Sequence, residues 1–187
     1  MEMAYNIHPI FVHFPIALLF LYSLIKMLPL QKWFPKVSWK HIEILLLVVG
    51  VLGAFAALVT GDTAKHLVHP NRQLVGMHST FAQLATWLYG LLLVGEILTF
   101  LTSKIIPRLN VPILTKFFII IQKILTQPTL SKGIAFVALI AITVTGMLGG
   151  VMVYGVSADP VAAEVLHVLG ISSQTFLIQQ QGSNSVQ

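Results

Sequence analysis

There is no cysteine in this chain of 187 residues. That excludes disulfides, thiolate-bound zinc, iron–sulfur clusters and covalent c-type haem attachment within it. Charge is scarce too. Only 9% of residues are Asp, Glu, Lys or Arg, against about 25% in an average soluble domain. With 56% hydrophobic residues and a mean hydropathy of +0.87, too few charges remain to cover a water-facing surface, so a lipid bilayer is the expected solvent. No GxSxG, HExxH, Walker-type or GxGxxG pattern occurs, so a hydrolase, a nucleotide enzyme or any stand-alone enzyme is not expected. Basic and aromatic residues do not interleave on a polar face, and nucleic acid is not an expected partner. A signal peptide is not expected either. MEMAYNIH carries Glu2 and no base, and no small-residue cleavage site follows Leu28, so the first apolar run reads as a retained span.

What the chain does have is long apolar runs. Crossing hydrocarbon takes about 20 mostly apolar residues. Four segments qualify, at about 9–28, 41–60, 78–101 and 133–156. They do not alternate, which argues for helices rather than barrel strands. The segment at about 112–125 differs, because Lys116, Gln122 and Lys123 punctuate its apolar residues after Pro107 and Pro112. It suits a helix lying in the interface. As a fifth span it would carry Lys116 into the bilayer, at a cost of about 2.5–3.5 kcal/mol. The expected fold is therefore all-α: an integral membrane four-helix bundle over residues 1–158 with an added interfacial amphipathic helix. A tail over 159–187 would hold a short helix and then a disordered polar end.

Lysine and arginine set the expected orientation. Nine of the eleven bases (Lys26, Lys32, Lys36, Lys40, Lys104, Arg108, Lys116, Lys123 and Lys132) fall at one end of the spans. That end should face the cytoplasm, with both termini outside, in a bacterial inner membrane or its equivalent. Trp33 and Trp39 fit interface anchors there. Of the seven histidines, only His41 maps to the basic end. His8, His13, His66, His69, His78 and His167 all map to the other.

His13 and His78 carry the sharpest chemistry. His13 would sit about one turn, or about 6 Å, inside its span, and His78, at the start of the third, would have a similar depth if that helix begins near Leu74. Two imidazoles at matched depth on separate helices provide what a bis-histidine b-type haem needs, and they would equally suit a transition-metal ion. His8 and Asp62 are secondary candidates, Asp62 as a carboxylate that orients a ligating ring. Plainer readings stay open. His13 and His78 would satisfy a carbonyl of a neighbouring helix, His8 would mark the helix entry, and Asp62 would anchor at the interface or pair with Lys65 or Arg72. His66 and His69 read as a solvated loop pair, and His167 with Glu164 as a surface contact. Glu43 and Glu96 read as interface acids, and Tyr154 as a hydrogen-bonding group across the bundle. Gly50, Gly53, Ala57 and Gly61 in the second span, with Gly146, Gly149 and Gly150 in the fourth, mark close helix packing.

In HPIFVHFPIALL the residues His8, Pro9, Val12, His13, Phe14 and Pro15 resemble the opening motif of a family of bacterial four-helix membrane proteins, domain of unknown function 2231. Gly61–Asp62, His78, and Gly149–Gly150 with Val153–Tyr154 match its further landmarks. The resemblance covers His8 to Val156 and implies a four-helix membrane fold. Relatives joined to Rieske-type or cytochrome-type redox domains imply electron transfer by analogy. This chain departs from the pattern in its interfacial insertion and in having no attached redox domain, so an outer-side redox protein or membrane complex would be a separate chain. The expected function is thus membrane electron transfer through haem b or a metal ion. The alternatives are a structural or assembly subunit without any cofactor and, with less support, an ion transporter.

Overall fold

The computed structural model describes residues 8–67, 72–106, 112–154, 164 and 166–168. Among them there is no strand. Six helices follow in order: α1 (His8–Met27), α2 (Leu30–Trp33), α3 (Trp39–Leu67), α4 (Arg72–Lys104), α5 (Pro112–Leu125) and α6 (Pro128–Tyr154). α3, α4 and α6 are long and apolar enough to cross a membrane. The apolar part of α1, Phe11–Met27, is shorter. Several helices outrun the apolar segments. α4 has 33 residues, a length of about 50 Å at 1.5 Å per residue, against a hydrocarbon thickness of about 30 Å.

α1 packs on α3 and α6, and α4 packs on α6 and α3, which closes a ring of four helices. α5 leans on α4 from outside. Neighbours in the ring run antiparallel, as contacts along their lengths show. Lys26 meets Glu43 at 3.1 Å near one end, and Pro15 meets Gly53 toward the other. Ile16 lies beside Gly146, while Ser23 bonds the Ala135 carbonyl. These register points put His41, Lys26, Lys40 and Lys132 at one end. His8, His13, His66 and His78 lie at the other.

Small residues let the backbones close up, because packing contact rather than hydrophobic drive holds helices together in lipid. A methyl group built on Gly50 would lie 2.6 Å from Leu19 Cδ2, and one on Gly53 would lie 3.2 Å from Pro15 Cβ. Pro15 has no N–H to give the Phe11 carbonyl, yet its ring is buried against α3. The main core joins Leu19, Tyr22, Leu47, Val51, Tyr89 and Ala138. A second cluster, Leu74, Leu148, Val151 and Leu166, fills the histidine-bearing end. Leu166 is buried there, so part of the tail docks on the bundle.

Polar groups inside the bundle are paired. Ser23 Oγ and Tyr89 OH share a hydrogen bond of 2.7 Å, and Ser23 reaches the Ala135 carbonyl at 3.3 Å. The Tyr22 ring meets the Tyr89 ring edge-on. Thr86 and Thr145 donate to the carbonyls of Ala82 and Ala141, four residues earlier. Among the described residues no buried side-chain nitrogen or oxygen lacks a partner, as lipid surroundings demand.

α5 is amphipathic, with one difference from its expected pose. Ile113, Phe117, Ile120 and Ile124 form a single exposed stripe. Lys116 and Lys123 flank this stripe rather than oppose it, at 100° per residue. The opposite face is taken by α4, where Thr102 Oγ1 donates to Gln122 Oε1 at 3.0 Å. Packing on α4 claims the side that the sequence assigns to water.

Candidate functional site

His78 is the best-defined candidate. It lies on the face of α4 that carries the buried Leu74, Ala85 and Leu92 and is half-buried. Its Nδ1 is 3.0 Å from the Thr145 carbonyl on α6. A carbonyl only accepts, so Nδ1 carries the proton and donates. In a neutral ring the lone pair is then on Nε2. This is the arrangement that commonly orients a ligating imidazole, a ring N–H tied to a backbone carbonyl. Gly149 completes the seat. A methyl group there would touch His78 Cε1 at 3.4 Å, so the ring rests directly on the α6 backbone. From sequence Gly149 reads as a packing glycine and a family landmark, and nothing in the sequence pairs it with His78.

His13 stands elsewhere on the bundle. It is exposed and lies about 100° around α1 from Val12, which shares the inward face with Leu19 and Ser23. Along the axis it is one turn beyond Ile16, whose Cδ1 would be 3.9 Å from a methyl group on Gly146. Gly149 is one turn beyond Gly146 in the same direction. His13 is thus level with the His78 seat but on the flank of α1 toward α6. Neither residue is without a partner.

His8 opens α1 and Asp62 lies within the last turns of α3. His66 is helical at the end of α3 rather than in a loop. Its companion His69 lies outside the described residues. His167 and Glu164 are both exposed. Among the described residues no group of three or more His, Asp or Glu side chains is placed to hold a metal ion.

Sequence reasoning placed the charges at the other end but missed their pairing. Glu43 pairs with Lys26, and Glu96 with Lys40. Each pair links two helices, α1 to α3 and α3 to α4. The partners are 17 and 56 residues apart, so only the helix register brings them together. The Ser23–Tyr89 bond was missed for the same reason.

A ring of long apolar antiparallel helices with internally paired polar groups defines a helical membrane protein. The chain belongs to the family described as predicted membrane protein (DUF2231), whose model matches residues 4–160. No curated protein and no solved structure matches it.

Proposed function

We propose that the chain crosses the membrane four times, with its lysine-rich end in the cytoplasm, and binds b-type haem or a transition-metal ion at the histidine-bearing end to serve membrane electron transfer. His78 would be the principal ligand, through Nε2. His13 would be the second, reaching the group from the flank of α1, with His8 and Asp62 in supporting places. One observation carries this reading: the hydrogen bond from His78 Nδ1 to the Thr145 carbonyl, which sets the tautomer a ligand needs. Haem would suit so sparse a donor set, because the group brings most of the iron's donors with it and the protein would supply only His78 and His13. A bare ion in a closed site commonly takes four protein donors. The reduced-minus-oxidised absorption spectrum of the purified chain, recorded with elemental analysis, tests the proposal. A bis-histidine haem signature or stoichiometric metal supports it. A flat spectrum with no metal defeats it.

A second reading is favoured by the exposed position of His13 and the bare stripe of α5. In it the chain is a structural or assembly subunit, and His78 only fastens α4 to α6. Co-purification with a larger membrane complex, together with wild-type behaviour of His13→Ala, would favour this second reading.

A further inference from the structure

The lysine-rich end holds a cleft of about 440 Å³ where the end of α1, the short α2, the start of α3 and the start of α6 meet. Four lysines line it, Lys26, Lys32, Lys40 and Lys132, with a single carboxylate, Glu43. Lys26 is neutralised by Glu43, and Lys40 by Glu96 at the rim. Lys32 on α2 and Lys132 on α6 pair with no carboxylate among the described residues. The cleft therefore has an excess of positive charge supplied from two different helices.

Its walls are held in place. Trp39 Nε1 donates to the Phe34 carbonyl at 3.1 Å, and Gln31 Nε2 donates to the Pro35 carbonyl. These bonds fasten the α2 turn to the start of α3. Apolar side chains are exposed next to the lining residues: Leu28 itself lines the cleft, and Trp33, Phe34 and Val37, with Lys36 among them, follow Lys32 along the turn from α2 to α3. A small soluble anion would leave that rim bare. A glycerophospholipid would place its phosphate between the lysines and its acyl chains over the rim. Basic pockets between helices at a membrane face bind anionic headgroups in this way.

We infer that this cleft is a binding site for the phosphate headgroup of an anionic glycerophospholipid, held by Lys32 and Lys132. The site is separate from the histidine-bearing end and does not rest on any cofactor there.

Native mass spectrometry of the full chain in detergent tests it, with phosphatidylglycerol and phosphatidylcholine as probes. Phosphatidylglycerol should be retained in preference. Lys32→Gln with Lys132→Gln should weaken its binding by about thirtyfold, the usual worth of two interfacial lysines. Lys116→Gln with Lys123→Gln removes the same charge from α5 and should change binding by no more than about threefold. Both lysines of the first pair are exposed, so an unchanged melting temperature will show that the variant is folded. No preference in the wild type, or equal losses in the two double variants, would overturn the site. Displacement of the lipid by millimolar inorganic phosphate would make it a small-anion site and also overturn the lipid assignment.

Discussion

Gly50→Ala probes the tightest of the glycine contacts among the described residues. The added methyl would lie 2.6 Å from Leu19 Cδ2 and 2.7 Å from Leu19 Cγ, where carbon atoms at rest keep about 3.5–4.0 Å. Leu19 cannot yield, because it is fully buried among core residues of four helices. α1 must instead back away from α3 by about 1 Å, opening the contacts around it. Overpacking of this kind costs about 1–3 kcal/mol. The better helix propensity of alanine returns about 1 kcal/mol, leaving a net loss of up to about 2 kcal/mol. Gly90→Ala is the control, since a methyl there meets nothing within 4 Å. It should gain up to about 1 kcal/mol from propensity alone. Reversible unfolding of the detergent-solubilised protein in SDS would measure both. In a cycle with Leu19→Ala the cost of Gly50→Ala should vanish, a coupling of more than about 1 kcal/mol. If Gly50→Ala is as stable as Gly90→Ala, the described approach of α1 to α3 is wrong.

Three further substitutions give separate expectations. Ser23→Ala removes the partner of the Tyr89 hydroxyl across the bundle and should cost about 1 kcal/mol in the same unfolding assay. Glu43→Gln strands Lys26, whose side chain is only 16% exposed, and should cost about 1–2 kcal/mol. Adding Lys26→Met should recover much of that loss, because no lone charge then remains at the bundle end. Gly149→Val places a branched side chain against the His78 ring and should shift the ring's NMR resonances, while Gly150→Val, where a methyl meets nothing within 4 Å, should leave them in place.

The long helices were legible because hydrocarbon leaves a chain little choice. Backbone groups must bond internally, and a run such as HIEILLLVVGVLGAFAALVT can do so only as a helix. Their ends were less legible. Past the apolar runs the helices continue through residues such as Thr63 to Leu67 and Arg72 to Met77, where no apolar run marks them. The short α2, four residues after Pro29, has no periodicity to read. The expectation that His13 and His78 lie at a similar level could be counted from the apolar boundaries, since a helix rises 1.5 Å per residue. Which way each ring faces could not, because that depends on how α1 and α4 are rotated within the bundle. His78 is turned onto α6 and His13 onto the flank of α1, although both stand near the start of an apolar run. The ion pairs stayed hidden for a related reason. Lys26 with Glu43, and Lys40 with Glu96, meet only once antiparallel register is set.

Ligation by His78 is the central claim, and the most direct measurement is the content of haem and metal per chain in His78→Ala, compared with wild type and with His41→Ala at the opposite end. The account predicts a stoichiometric group in the wild type and in His41→Ala, a weakened one in His13→Ala and none in His78→Ala. A bound group that survives the loss of His78, or a wild-type chain that carries none, would contradict it.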